Sequence, residues 1–264
     1  MSVPEPVEEL LASALAAAAA ASAVLLERAR GSLEVGTKIS HRDLVTDADR
    51  AAEAAIDAVL RERHPGHRLL AEEGTTREAA GSAAVRWIVD PLDGTVNFAR
   101  GMSHYCVSIA AEDEQGLAVA VVQDPVRGEV FRAARGQGAW LGERRLQVSA
   151  APGLADAILA TGFSYETAMR EENARHAAAL IPRLRGFRRM GSAALDLAWV
   201  AAGRLDGFWE LGLKPWDVAA GLLLVTEAGG VVSGMPGQAE PLVSGTVVAG
   251  GPAVHEALSA ALAG

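Results

Sequence analysis

Hydrophobic positions in the first part of the chain recur at helical spacing. Apolar residues three and four apart predict a helix from Val7 to Ala29, ended by Gly31. The same period returns from Ala48 to about Arg63 and predicts a second helix. Short β-rich runs, separated by Gly, Asp and Pro turns, then predict an antiparallel meander over residues 86–89, 106–112, 118–123, 129–134, 139–141 and 146–148.

The pattern changes after the Ala-Ala-Pro-Gly stretch at 150–153. Strands and helices now alternate, with strands predicted at 157–162, 186–190, 206–210, 231–233 and 247–249 and helices at 169–184, 192–202, 216–228 and 253–262. We therefore predict two units: residues 1–150, with helices and an antiparallel sheet, and residues 151–264, a smaller α/β half.

Composition and charge narrow the class of protein. The chain has 264 residues, half of them hydrophobic, and a formal net charge of −9. This balance disfavours contact with nucleic acid or an anionic membrane, since both require a basic surface. Cys106 is the single cysteine and fits a reducing cytoplasm. Acidic residues precede the alanine-rich run at 10–26, so we expect a soluble helix there and no secretory signal.

An apolar strand that ends in carboxylates is the most informative segment. Asp90 and Asp93 lie three residues apart across a turn fixed by proline, so both can converge on a hard cation, and the Leu92 carbonyl could join them. The backbone N–H groups of Gly94 and Thr95, at the start of a helix, would form an anion site. An Asp-Pro-x-Asp-Gly sequence is also a common surface turn, and the turn chemistry alone leaves both interpretations open.

Residues 90–98, Asp-Pro-Leu-Asp-Gly-Thr-Val-Asn-Phe, resemble a signature of the inositol monophosphatase family throughout. Residues 216–221, Trp-Asp-Val-Ala-Ala-Gly, are similar to the second signature of that family. Also similar are residues 43–49, the pair Glu72-Glu73 and residues 191–194. The resemblance spans about residues 38 to 230 in the expected order.

The resemblance implies a layered αβαβα sandwich with a mostly antiparallel first sheet. It also implies a Mg²⁺-dependent phosphatase with two or three ions in each active site, in which water activated by Mg²⁺ attacks phosphorus. One ion would be held by Glu72, Asp90 and the Leu92 carbonyl, and a second by Asp90, Asp93 and Asp217. Thr95 would orient the attacking water, with Asp49 accepting a hydrogen bond from its hydroxyl.

The substrate implied by the resemblance is a small phosphorylated polyol or sugar. Glu210 matches a family glutamate that hydrogen-bonds substrate hydroxyls, and Ala193 would offer a backbone contact; Gly94, Thr95 and Asp217 complete the expected substrate contacts. Inositol 1-phosphate is the first candidate, with histidinol phosphate and fructose 1,6-bisphosphate as alternatives and a non-catalytic regulatory protein as a third hypothesis. A homodimer is also implied.

Several of these residues have a simpler structural interpretation. Asp217 lies where a helix starts and could be its N-cap. Glu73 and Asp47 are predicted to be solvated neighbours of the site. Lys38 either faces the opening of the site, as in the family, or is solvated. The histidines show no metal-binding spacing in the sequence, and we predict structural or solvated roles for them.

Overall fold

The computed structural model describes residues 5–31, 35–37, 44–78 and 85–263. The helices in these ranges are α1 Val7–Arg28, α2 Asp47–Arg63, α3 Thr95–Ala99, α4 Thr167–Leu180, α5 Ala193–Ala201, α6 Pro215–Glu227, α7 Pro241–Ser244 and α8 Pro252–Leu262. The strands are β1 Val35–Thr37, β2 Leu44–Thr46, β3 Arg68–Ala71, β4 Thr76–Arg77, β5 Arg86–Asp93, β6 Cys106–Asp113, β7 Gly116–Asp124, β8 Glu129–Ala134, β9 Gly138–Leu141, β10 Arg144–Arg145, β11 Ile158–Thr161, β12 Gly186–Arg188, β13 Gly207–Leu211, β14 Val231–Ser233 and β15 Thr246–Gly250.

Two sheets carry most of these strands. The larger has the order β10-β9-β8-β7-β6-β5-β3-β4 and is antiparallel except where β3 runs parallel to β5. The smaller has the order β12-β11-β13-β15-β14, with β11 parallel to both β12 and β13. A separate antiparallel pair joins β1 to β2.

Helices α5 and α6 lie between the two sheets. Their apolar residues share one core with Ile88 and Phe131 of the larger sheet and with Phe208 and Val247 of the smaller. Because side chains alternate along a strand, Trp87 and Val89 face the opposite side of the larger sheet, where α1 and α2 cover them. Helices α4 and α8 cover the outer face of the smaller sheet. The layers run helix, sheet, helix, sheet, helix, as expected for the αβαβα sandwich.

The alanine-rich helix α1 belongs to the outer layer of the larger sheet. By length and composition alone it is apolar enough to cross a membrane. Its small residues Ala14, Ala17, Ala18 and Ala21 are nevertheless fully buried and pack against α2 and the sheet. This packing is what a core helix of a folded domain shows, because alanine permits close approach and favours helix.

In the larger sheet, the observed strands differ from those that the sequence pattern predicts. Residues 146–148 do not form the predicted strand; the last strand of the larger sheet is the shorter β10, and Leu146 N–H instead donates to the Ala139 carbonyl. The pattern also missed β3, which is only four residues long and too short for an alternation to be seen.

The final glycine of the second signature is explained by helix packing. A Cβ placed on Gly221 of α6 would lie 2.5 Å from the Leu197 Cβ of α5, closer than packed carbons can approach. Both residues lie in the central layer. Glycine therefore sets the distance between the two helices that separate the sheets.

Gly221→Val should lower the free energy of unfolding by about 2 kcal/mol or more, because overpacking forces α5 and α6 apart. Urea denaturation followed by circular dichroism measures the change. Thr226→Val, on the same helix, is the matched control and should change stability by less than about 1 kcal/mol. Equal effects of the two variants would show that the close contact is not limiting.

Candidate active site

Carboxylates from three elements converge at one edge of the larger sheet. Strands β3 and β5 are parallel, with Ala71 opposite Val89, so Glu72 and Asp90 follow these positions side by side. Asp90 is only 2% exposed. Asp217 reaches the same place from the first turn of α6, where it is the third helical residue and accepts from the backbone N–H of Lys214 at 2.7 Å. Asp217 is thus not the N-cap itself, but it does satisfy a free N–H of the helix start.

The turn after Asp90 is held by the Asp90 side chain. The Leu92 N–H donates to Asp90 Oδ1 at 2.9 Å, and the pairing of β5 with β6 shifts register between Asp90 and Asp93. Gly94 follows with φ of +101°, and a Cβ there would lie 3.0 Å from the His104 carbonyl oxygen. Only glycine combines this conformation with so close an approach. The turn leads directly into α3.

Asp93 links this turn to the central layer. Its Oδ2 accepts hydrogen bonds of 2.7 Å from Ser192 Oγ and of 2.7 Å from the Ala194 N–H, at the start of α5. Ala193, the predicted substrate contact, lies between these two donors. The Cys106 Sγ is 3.9 Å from the same oxygen, so the cysteine is a buried strand residue at the edge of the site.

Thr95 and Asp49 form the predicted hydroxyl–carboxylate pair. Thr95 Oγ1 is 2.9 Å from Asp49 Oδ1 and 3.1 Å from the Leu92 carbonyl oxygen. Asp49 is fully buried, and its other oxygen accepts from the Thr46 N–H at 2.8 Å and from Thr46 Oγ1 at 2.6 Å. This arrangement is the capping box of α2. The cap that starts the helix therefore also fixes the orientation of Asp49.

The electrostatics of the cluster follow from burial and mutual repulsion. Burial raises the pKa of the Asp90 carboxyl well above its ordinary value, and the neighbouring charges that raise it further are those of Glu72, Asp93 and Asp217. Burial also raises the pKa of Asp93 to about 6, although its hydrogen bonds to Ser192 and Ala194 oppose this. The pKa of Asp217 is raised well above normal for the same reasons, burial first. A divalent cation would relieve this repulsion, and a set of hard oxygen ligands suits Mg²⁺.

Glu210 lies on β13 at the far side of the cluster. It is 8% exposed, and burial followed by the Asp217 charge raises its pKa well above the ordinary value, while the Arg189 charge lowers it. Asp47 lies outside the cluster and pairs with Arg28. Lys38 and Asp43 fall outside the described residues.

Glu53 is a buried residue that sequence analysis missed. It is 3% exposed, and its carboxylate accepts from the Glu73 N–H at 2.7 Å and from the Thr75 N–H at 3.0 Å. These bonds hold the turn that follows β3 and carries Glu72. The helical period could have identified it, because Glu53 lies between Ala52 and Ile56 on the face of α2 that this period predicts to be buried.

A second missed group ties α3 to the central layer. The Asn97 side-chain amide donates to the carbonyls of His104 and Met190, each at 2.7 Å. His104 Nε2 in turn lies 3.1 Å from Asp196 Oδ1 of α5, and both residues are buried. The partners are up to 93 positions apart, so no local pattern in the sequence could join them.

Glu5, His64 and His67 place possible metal-ligand atoms within 4.8 Å of one another, away from the acidic cluster. The Trp87 Nε1–H donates to His67 Nδ1 at 3.1 Å, so the proton of the neutral His67 ring is on Nε2. This Nε2 lies 2.9 Å from Glu5 Oε2. His64 spans Ser13 and the other oxygen of Glu5, each at 2.8 Å. Burial lowers the pKa of His67 to about 4, which keeps it neutral. The group is a hydrogen-bonded structural contact, which no pattern in the sequence predicted.

Comparisons with known proteins agree with this geometry. The model of the inositol monophosphatase family matches residues 6–263, and the chain belongs to that family. The chain is 48% identical over 221 residues to Nus factor SuhB of Pseudomonas aeruginosa, which covers 82% of each protein. It is also 48% identical over 219 residues to Nus factor SuhB of Escherichia coli K12, covering 83% of this chain and 82% of that protein.

Solved structures show the same fold. The extragenic suppressor protein suhB from Bartonella henselae is 37% identical, with a TM-score of 0.91 over 96% of this chain and 98% of that one. The inositol monophosphatase from Anabaena is 38% identical, with a TM-score of 0.86 over 97% of this chain and 96% of that one. The layered α/β sandwich is thus the fold of this family.

The raised pKa values predict how the stability of the metal-free protein changes with pH. The folded chain binds the Asp93 proton more tightly than the unfolded chain, so metal-free protein loses stability as pH rises from the ordinary pKa of 3.8 through about 6. Without metal, Asp93→Asn should therefore melt at a higher temperature than the wild type at pH 7, and the gap should shrink at pH 5. Mg²⁺ should stabilise the wild type more at pH 7 than at pH 5, because protons compete with the ion.

Scanning fluorimetry at both pH values, after chelation and with added Mg²⁺, measures these differences. Burial lowers the pKa of His64 and His67, so these histidines make the stability depend on pH in the opposite direction. They are the same in wild type and Asp93→Asn, so the difference between the two proteins reports the contribution of Asp93. Glu143→Gln, at an exposed position, serves as the control substitution. If Asp93→Asn melts at the wild-type temperature at pH 7, the charge of Asp93 does not destabilise the metal-free protein.

Proposed function

We propose that this protein is a Mg²⁺-dependent phosphatase that hydrolyses a small phosphomonoester of a polyol or sugar, with inositol 1-phosphate as the first candidate. The observation that carries the proposal is the burial of mutually repelling carboxylates beside the glycine turn that opens α3. Such a cluster is costly without a cation. Membership of the inositol monophosphatase family supports the phosphorylated substrate.

The ligands that would hold the cations are those implied by the sequence motifs. Glu72, Asp90 and the Leu92 carbonyl would bind one Mg²⁺, and Asp90, Asp93 and Asp217 a second, with Asp90 shared. Bound cations would supply charge neutralisation for the phosphate and lower the pKa of water. How many ions bind together, two or three, is part of the proposal.

The protein's own groups position the reactants. Asp49, held by the Thr46 backbone and hydroxyl, accepts a hydrogen bond from the Thr95 hydroxyl, so the Thr95 oxygen would present its lone pairs to a water molecule. The backbone N–H groups of Gly94 and Thr95 would receive the phosphate. Glu210 and the backbone at Ala193 would face the organic half of the substrate.

The relatives also favour a second candidate function. Proteins 48% identical to this chain are named Nus factors, which suggests a regulatory role on the same fold. The absence of nucleic-acid binding therefore stays a prediction. So do the homodimer implied by the family resemblance and the cytoplasmic location inferred from the sequence.

A substrate panel tests the proposal. Purified protein should release phosphate from inositol 1-phosphate with Mg²⁺ and lose this activity with a chelator, and parallel assays with histidinol phosphate and fructose 1,6-bisphosphate rank the alternatives. Asp93→Asn should lower activity by about a thousandfold or more while remaining folded, because its oxygen can keep the bonds to Ser192 and Ala194.

Each outcome of the panel has a definite meaning. Fast turnover of histidinol phosphate beside negligible turnover of inositol 1-phosphate would replace the first candidate by the second substrate. No Mg²⁺-dependent release from any substrate would favour the regulatory role. Normal activity in Asp93→Asn would show that the ligand assignment is wrong.

Glu53→Gln should weaken Mg²⁺ activation. A glutamine offers one oxygen where two backbone N–H groups now donate, so the turn carrying Glu72 loses one hydrogen bond. Loss of such support for a metal ligand typically costs about 10-fold to 100-fold in metal affinity. We expect the Mg²⁺ concentration for half-maximal activity to rise by this factor, and kcat to recover at saturating Mg²⁺.

The matched control is Glu62→Gln, an exposed position on the same helix, which should behave as the wild type. A loss of activity in Glu53→Gln that high Mg²⁺ does not restore would indicate a general folding role and not support of the metal site.

A further inference from the structure

Gly162 lies directly under the carboxylate of Glu210. It follows β11, whose last residue, Thr161, is paired with Trp209 of the adjacent parallel strand β13. A Cβ added to Gly162 would lie 2.1 Å from each of the two carboxylate oxygens of Glu210 and 2.2 Å from its Cδ. No side chain can occupy this space while Glu210 keeps its position.

We infer that Gly162 is a specificity-determining residue: its missing side chain creates the space in which the Glu210 carboxylate faces the hydroxyl groups of a polyol substrate. This inference rests on the proposed function and extends it to a position outside the family motifs quoted from the sequence. Any larger residue at 162 would displace the carboxylate and change which phosphomonoesters are preferred.

The backbone at Gly162 does not itself call for glycine. Gly212, two residues after Glu210, has φ of +82°, a value that side chains rarely adopt. Gly162 lies outside this left-handed range, so other residues can adopt its conformation. The close approach of the carboxylate is therefore the physical reason for glycine at this position.

The neighbouring strands cannot easily move apart to relieve the contact. Thr161 Oγ1 donates to the Trp209 carbonyl, one residue before Glu210. The amide of Asn173, a fully buried residue of α4, donates to the Gly162 carbonyl and to Thr161 Oγ1, the latter at 3.0 Å. The mobile part of the contact is thus the end of the Glu210 side chain.

A small side chain at residue 162 should therefore affect substrate binding more than the folding of the chain. A methyl group at residue 162 pushes away a carboxylate at the end of a flexible side chain, which costs less than moving backbone. The displaced carboxylate no longer meets the substrate hydroxyls at hydrogen-bonding distance. Hydrogen bonds to charged groups contribute enough that their loss changes affinity by about tenfold or more.

Gly162→Ala tests the inference through a comparison of two substrates. The factor by which the KM for inositol 1-phosphate rises should be about ten times the factor for p-nitrophenyl phosphate. The latter carries no hydroxyl groups for Glu210 to bind. Gly153→Ala, just before the same strand, is the matched control, since a Cβ there meets nothing within 4 Å. Its kinetics should equal those of the wild type.

Glu210→Ala and the double variant complete the cycle. If Gly162→Ala acts by displacing Glu210, it should add little to Glu210→Ala, and the double variant should fold even if Gly162→Ala alone folds poorly. Additive effects, or equal changes in KM for both substrates, would overturn the inference. Failure of the wild type to hydrolyse even p-nitrophenyl phosphate would contradict the proposed function itself, so the two failures are distinguishable.

Discussion

The burial of like-charged carboxylates close together is the constraint on which the rest of this structure depends. Asp90, Asp93 and Asp217 are each held in conditions that raise their pKa, and burial is the largest cause in every case. Folding the metal-free chain must therefore oppose both desolvation and like charge. The energy comes from the apolar layers on either side, which bring the end of β5 against the starts of α5 and α6.

The polar groups around the cluster follow the same logic. Three carboxylates are oriented by backbone donors or by a hydroxyl: Asp93 by the start of α5, Asp217 by the start of α6, and Asp49 by the capping box of α2. Glu53 supports the turn after β3 in the same way. Helix starts present free N–H groups, which accept no cation themselves and can donate hydrogen bonds to carboxylates. These positions remain able to accept a cation.

The site also divides into two chemically different halves. The acidic cluster and the α3 turn are built mainly from the larger sheet, whereas Glu210 comes from the smaller sheet and is packed over Gly162. Under the proposed function, residues that do not hold metal would select the organic half of the substrate.

By itself the sequence determined the local features: the buried strand before Asp90, the glycine turn at Gly94 and the amphipathic period of α2, because turns, caps and periodicity depend on neighbouring residues. The family resemblance added the layered fold, which the structure confirms, and a ligand set that stays a prediction. Only the tertiary structure decided which distant groups meet, such as Glu53 with the turn after β3 and Glu210 with Gly162. Those contacts depend on how whole layers pack, and a contact between residues far apart in the chain leaves no period or motif in the sequence.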